Sequence, residues 1–391
     1  MPAAIMSPDT PSAADYLIIG GGVMGASTAY HLAAAGAENI VLLERSAHFE
    51  DSATNRCAGG VRYQFSTEIN IRLSQASLPM LERFEQEIGV DPQYQQCGYY
   101  FVLTDPADVA AFRRTLDLQR RLGVATEWLS PDELTRRLPL MNIPDALAGT
   151  VHEKDGLADP HSVLSGYLAR ARELGATILT ETEVSDIVEQ DGRVAAVETT
   201  RGRLESRCVV NAAGPWAGQV GRMAGLDIPI EPVRRQMVTT TPLPQLPADF
   251  PFVIDFTRSL YFHREGEGIL TGMSNPDQAP GFDQTVDKAW EIQAMEAAML
   301  RLPLLAEAGR LSGWAGLYEV TPDAHPIFGA TPLEGFYLVA GFSGHGFMHG
   351  PIAGKLMAEI LLEGEAHSVD VSQLDLARFA EGRMVREHNV I

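Results

Sequence analysis

The chain has 391 residues, 45% of them hydrophobic, and a formal net charge of −21. That length suits two domains with sizeable cores, and an acidic balance without any basic cluster excludes a nucleic-acid-binding face. No apolar run reaches the roughly 18–20 residues of a membrane span, and three scattered cysteines, Cys57, Cys97 and Cys208, support neither a disulfide framework nor a zinc site.

Residues 1–14 read as a frayed tail, neither a secretory signal nor a mitochondrial presequence, so the expected location is cytoplasmic. Residues 15–19 form a short apolar strand that ends in Gly20, Gly21 and Gly22. Helical apolar spacing follows over 23–35, and Gly36 closes that helix. Residues 40–43 are a second buried strand, ending at Glu44, which completes a βαβ unit. The stretch 67–88 reads as a long helix that Pro79 should kink or break. A strand is expected over 98–103 and a helix over 107–122. Asp159 as N-cap and Pro160 as first residue open a helix to about Leu174. Strands follow over 177–179, 184–189 and 193–199, the last two joined by an Asp191-Gly192 hairpin. Residues 209–213 are another buried strand, running into Gly214. From 229 to 275 the pattern is mostly β, and 287–302 is helical. Residues 335–340 form a strand that enters a glycine loop, 341–350, before a final helix from about Pro351 to Leu362. The order implies a discontinuous nucleotide-binding domain (15–92, 145–220 and 310–391) interleaved with a second domain (93–144 and 221–309).

Gly20, Gly22 and Gly25 stand between a strand and a helix. The first permits the tight turn, the second lets a pyrophosphate approach the backbone, and the third lets helix and strand pack closely. The phosphates then face the helix N-terminus. Glu44, at the end of the next strand, suits the ribose hydroxyls of an adenosine and repels a 2′-phosphate. An NAD enzyme continues with regular βαβ repeats. Here the second strand is followed by Arg45 and a polar, glycine-rich stretch, 52–60, which favours FAD.

With these motifs the chain resembles the D-amino-acid-oxidase-like flavoprotein family, and within it the sarcosine oxidases and the β subunits of dye-linked L-proline dehydrogenase. The resemblance runs from Tyr16 to about Leu362. It rests on Gly20–Gly25 with Glu44-Arg45, on 54–65 (TNRCAGGVRYQF), 155–160 (DGLADP), 209–216 (VVNAAGPW), 314–323 (WAGLYEVTPD) and 341–348 (GFSGHGFM). It implies an α/β fold, α+β overall: a Rossmann-type FAD-binding domain with an interleaved, mainly antiparallel β substrate domain. It implies FAD contacts from Val23, Met24, Arg45, Ser52, Arg56, Gly59, Gly60 and Val61, from Val184 beside the adenine, and from Gly214, Gly316, Gly344, Gly346, Phe347 and Met348.

The reaction such a fold carries out on an amino acid moves a hydride from the carbon beside nitrogen to flavin N5, and the protein supplies position and charge. Arg62 follows the glycine loop and is the expected partner of the substrate carboxylate, since a guanidinium matches a carboxylate in bidentate fashion; the alternative is a surface or FAD-phosphate arginine. Tyr261 and His263 share one strand face, with Phe262 on the other. Tyr261 is expected over the substrate, the alternative being a packed aromatic with a solvated histidine. The N–H groups of the 341–350 loop form an anion nest for the flavin C2=O, and His345 adds polarity there.

Two departures from the sarcosine oxidases stand out. Met348 occupies the position of their carboxylate-binding lysine, and Gly316 that of the cysteine that tethers their flavin, so FAD is expected to be non-covalent. Residues 260–273 also lack the lysine those oxidases use toward oxygen. The expected function is oxidation of the C–N bond of a small, secondary amino acid such as sarcosine, proline or a related N-alkyl glycine. The electrons pass to oxygen or to a carrier or partner subunit. The alternatives are oxidation of a 2-hydroxy acid or glycerol phosphate, or a non-catalytic flavoprotein assembly subunit.

Overall fold

A computed structural model describes residues 11–391; the expected tail over 1–10 lies outside the described residues. Residues 12–14 depart from that expectation. Ala13 bridges to Glu205, and Ala14, buried, donates its N–H to the Glu205 carbonyl at 2.9 Å.

The first glycine turn sits in a six-stranded sheet. Its order is Ile327–Ala330, Phe336–Ala340, Val209–Asn211, Tyr16–Ile19, Ile40–Leu43 and Thr177–Leu179, all parallel except the first. Successive side chains of a strand point to opposite faces, and both faces here are covered, which explains the unbroken apolar runs. Ile18, Ile40 and Leu42 face a helical layer that includes the helices Val23–Ala34, Pro160–Glu173 and Gly346–Glu363. Leu17, Ile19, Val41 and Leu43 face a three-stranded antiparallel sheet, Val184–Gln190, Arg193–Thr199 and Gly202–Glu205.

The second unit is an eight-stranded, mainly antiparallel sheet. Its order is Arg310–Val320, Glu231–Thr240, Gly268–Met273, Leu260–Glu265, Phe252–Asp255, Tyr99–Leu103, Ala148–His152 and Glu127–Leu129. Alternation again sorts its faces. Val253 and Phe262 join one core with Ala298 and Leu302, whereas Ile254 and Tyr261 join another with Tyr99 and Phe101. The expected fold class is therefore observed.

Several boundaries differ from the sequence reading. The strands Ala148–His152 and Arg310–Val320, expected in the nucleotide unit, pair within the eight-stranded sheet. The helix Glu68–Glu82 contains Pro79 and ends at Arg83, after which Phe84–Ile88 forms a separate turn; the loss of one N–H at Pro79 does not break it there. The glycine loop is shorter than expected, because the last helix starts at Gly346 and carries Pro351 inside it. Close packing explains this. A Cβ on Gly354 would stand 2.2 Å from Ser27 Oγ, and that hydroxyl donates to the Pro351 carbonyl at 3.1 Å. The glycines let the first and last helices touch. A helix over 131–137 went unread although Ser130 and Glu133 form a capping box around it.

Candidate active site

Two adjoining clefts lie between the sheets. The first, about 1240 Å³, begins at the glycine turn and the strand ends around it. A Cβ on Gly25 would stand 1.9 Å from the Gly20 carbonyl oxygen, so only glycine allows the first helix to begin so close to its strand. The N-cap, Gly22, brings no side-chain cap, and this positive helix end opens into the cleft. Val23 N–H is met by Thr54 Oγ1 at 3.0 Å. Glu44 Oε2 accepts the Gly21 N–H at 2.9 Å, and Oε1 accepts Ser46 N–H and Oγ–H at 2.8 Å each. Its carboxylate is thereby fixed at the cleft wall. Arg45 lies 3.7 Å over the Trp216 ring.

At the far end the last helix also starts without a side-chain cap, at His345, with Gly346 as first residue. Among the site residues expected from the sequence, Gly20, Gly22, Val23, Met24, Glu44, Arg45, Ser52, Val184, Gly214, Gly344, Gly346 and Phe347 line this cleft. The donor set fits FAD. One uncapped helix end suits the pyrophosphate, the Glu44 carboxylate suits a ribose, and a second uncapped helix end suits a carbonyl that gains negative charge. Glu319 was not foreseen. It lies on the cleft wall, accepts the Gly341 N–H at 3.0 Å, and burial pushes its carboxyl up to about 7.

The second cleft, about 780 Å³, shares Ala53, Cys57, Leu317, Tyr318, Gly344 and Phe347 with the first. It receives Arg56, Gly59, Gly60, Arg62, Tyr261, Gly316, His345 and Met348. Gly25 and Val61 line neither cleft; Val61 is in the helical core. Arg56 is a tie rather than a free cation. Its Nε donates to the Glu50 carbonyl, its Nη1 to the Ala315 carbonyl at 2.8 Å, and its Nη2 to Asp51 at 3.1 Å. A Cβ on Gly316 would stand 3.0 Å from Arg56 Cβ. Cys57, on the wall of both clefts, has its thiol pushed up to about 12 by burial, which leaves it unreactive as a nucleophile.

Arg62 reaches the cleft but already donates to the Gln64 carbonyl at 2.5 Å and to the Asn389 carbonyl, and it lies 4.0 Å over the Phe65 ring. Arg235, unread in the sequence, is the less committed cation. Its Nη1 donates to the Arg234 carbonyl at 3.0 Å, its Nε has no partner among the described residues, and it sits 5.0 Å from the Tyr318 ring. Its one sequence signal is a pair of arginines beside Val233 and Met237 within the strand Glu231–Thr240. Tyr261 is 8% exposed and crosses Gly272, where a Cβ would stand 2.4 Å from its hydroxyl. His263 is buried against Phe252 with Nδ1 on the Arg264 carbonyl, so it is not a solvated histidine. His345 is 1% exposed, and among the described residues neither ring nitrogen has a partner. Burial, then the neighbours His349, Arg62 and His325, hold it well below the ordinary histidine range, so it is neutral. Val390 and Ile391, also unforeseen, close one side of the cleft. Among the described residues no group of three or more His, Cys, Asp or Glu could hold a metal ion, and no helix is long and apolar enough to cross a membrane.

The sequence profile described as DAO, FAD dependent oxidoreductase, matches residues 15–360. Sarcosine dehydrogenase of Mus musculus mitochondria is 32% identical over 388 residues, 94% of this chain and 42% of that protein. Dimethylglycine dehydrogenase of the same source is 31% identical, over 96% of this chain and 45% of that protein. The chain thus spans less than half the length of these two relatives. The solved structure of L-proline dehydrogenase from P. horikoshii superposes with a TM-score of 0.88 at 32% identity, covering 96% of this chain and 100% of that one.

Proposed function

The chain belongs to the DAO family of FAD-dependent oxidoreductases, and from that premise we propose that it oxidises the C–N bond of a small secondary amino acid such as sarcosine, proline or another N-alkyl glycine. The observation that carries this reading is the second cleft, where Arg235 and Arg62, with the tied Arg56, share walls with aromatic and apolar groups beside the FAD cleft. A substrate with one carboxylate and a small hydrocarbon body matches that lining. The three relatives compared above are named for sarcosine, dimethylglycine and proline, each an N-substituted amino acid, which supports the same class.

FAD, when bound, supplies the two-electron acceptor. The chain's own groups do the rest. Arg235 takes the carboxylate through its unpartnered Nε edge, and Arg62 adds positive charge to the same cleft. An α-ammonium must lose a proton before its carbon can give up a hydride; His345, held neutral by burial, adds no competing positive charge and offers a ring nitrogen as hydrogen-bond acceptor for the uncharged amine. Tyr261, held neutral by burial, gives one wall of the cleft, and Phe252, Met237 and Met348 give apolar walls that exclude water. Turnover of an artificial dye with proline, sarcosine, glycine and their hydroxy-acid analogues tests the reading. A cyclic imine from proline or formaldehyde from sarcosine is expected. Turnover confined to hydroxy acids would replace it.

A further inference from the structure

Beyond the expected machinery, one wall of the second cleft comes from a segment with an unusual attachment. Met384 and Val385 lie exposed at the surface, 47% and 60% accessible, and the chain then turns inward at Glu387, which is 1% exposed. Among the described residues no arginine or lysine pairs with Glu387. Its carboxylate is instead enclosed by neutral donors. Oε2 accepts Thr67 N–H at 3.1 Å, Thr67 Oγ1–H at 2.6 Å and Asn70 Nδ2–H at 3.1 Å. Oε1 accepts Ser66 N–H at 2.7 Å, Asn389 N–H at 2.9 Å and the Ser66 hydroxyl. Ser66 and Thr67 immediately precede the 15-residue helix Glu68–Glu82, whose N-cap, Thr67, makes no side-chain cap of its own. Glu387 therefore caps that helix from outside, and the helix dipole favours the anion. Burial opposes the charge, but the Ser66 and Thr67 donors outweigh it and hold the carboxyl below the ordinary range.

Two residues on, Asn389 repeats the attachment. Its Nδ2 donates to the Gln64 carbonyl at 3.3 Å and its own carbonyl accepts from Arg62. Val390 and Ile391 then line the cleft, and Ile391 packs on the cluster of Tyr99, Phe252 and Tyr261.

We infer that segment 387–391 is the apolar roof of the amino-acid cleft, with Glu387 as the positioning residue that holds it down, and that this roof sets affinity for the substrate's hydrocarbon part. The inference rests on the amino-acid reading of that cleft. A ring or N-methyl group gains by touching Val390 and Ile391, and glycine, which has neither, gains nothing. The roof touches no reacting atom, so its loss falls on half-saturation rather than on the limiting rate.

Three variants, Glu387→Gln, Glu387→Asp and Ile391→Ala, test this in the FAD-loaded full chain. Gln places an NH₂ where Oε1 or Oε2 accepts N–H groups and loosens the attachment. Ile391→Ala keeps the attachment and removes apolar contact. For Ile391→Ala the half-saturating concentration of proline in anaerobic flavin reduction should rise roughly 5- to 50-fold. The rise for glycine should be under about twofold on the same argument, since it lacks the hydrocarbon the roof would touch. Glu387→Gln should behave likewise, and Glu387→Asp should recover part of the loss. Two readouts need no turnover: titration of the flavin absorbance with tetrahydro-2-furoate, a ring carboxylate with no C–N bond, and amide hydrogen exchange over 387–391. Exchange should accelerate in Glu387→Gln. Unchanged proline half-saturation in both Glu387→Gln and Ile391→Ala, with normal reduction of the wild type, overturns the roof. So does a fall in FAD content or limiting rate without a shift in half-saturation. If no amino acid reduces the wild type, the amino-acid reading fails, and unchanged exchange in Glu387→Gln then overturns the attachment independently.

Discussion

Replacing Glu319 by Gln should stabilise the protein at alkaline pH and leave it little changed at acid pH. Glu319 lies on the wall of the FAD cleft, with backbone N–H donors from Gly341 and Phe342 and no cation among the causes that set its protonation. Burial raises its carboxyl from the ordinary 4.5 to about 7. A carboxyl raised in the folded state favours folding while it is protonated. Its contribution is complete below pH 4.5 and disappears as the pH climbs through 7. Ionising it in place costs about 3 kcal/mol at full extent, from about 1.4 kcal/mol per pH unit between the two values. The amide introduced by Glu319→Gln has no proton to lose in this range. Urea denaturation of the FAD-free protein between pH 5 and pH 9 provides the assay. The stability difference between Glu319→Gln and wild type should grow with pH across the interval 4.5–7 and level off above it, by as much as about 3 kcal/mol. Parallel profiles for the two proteins would refute the buried, unpaired description of this carboxyl. Because FAD brings its own negative phosphates into the same cleft, wild-type affinity for FAD should also fall more steeply above pH 7 than that of the variant.

Three further outcomes follow from the site. FAD should leave intact on acid precipitation, since Gly316 offers no tether and the Cys57 thiol, pushed up to about 12, is unreactive; flavin retained in the pellet would contradict this. Arg235→Met should raise substrate half-saturation roughly 10- to 150-fold, the loss of one charge-assisted contact, while FAD content holds. Arg62→Lys should raise it less, because Arg62 is already engaged by the Gln64 and Asn389 carbonyls; the reverse ranking, measured by steady-state kinetics, would return the carboxylate to Arg62. Reduced protein should reoxidise slowly with oxygen and quickly with an artificial dye. No lysine lines either cleft, a bound carboxylate neutralises Arg235, and Arg62 is held by the Gln64 and Asn389 carbonyls, so superoxide formation receives little help; stopped-flow rates with oxygen well above that of free reduced flavin would identify an oxidase.

The parts of the fold that could be read directly are those fixed by local chemistry. The turn at Gly20–Gly25 and Glu44 depends on neighbours within one βαβ unit, and the period of two over Leu260–Glu265 places Tyr261 and Phe262 on opposite faces. The start of the last helix was misplaced because glycines and Pro351 disfavour helix locally, whereas packing of Gly350 and Gly354 against Val23 and Ser27 requires small residues there. Arg235 and Glu319 were invisible for a different reason. Their burial comes from pairing of strands far apart in the chain, such as Arg235 opposite Gly316. Glu387 looks like any acidic surface residue until the turn inward brings it to Ser66, Thr67 and Asn70.

Anaerobic mixing of the FAD-loaded protein with proline, sarcosine and the hydroxy acid matched to each tests the central claim most directly. Loss of the flavin absorbance band, in proportion to imine or aldehyde formed and with either amino acid but neither hydroxy acid, is the predicted result. Bleaching by the hydroxy acids, or by none of the four compounds, would contradict it.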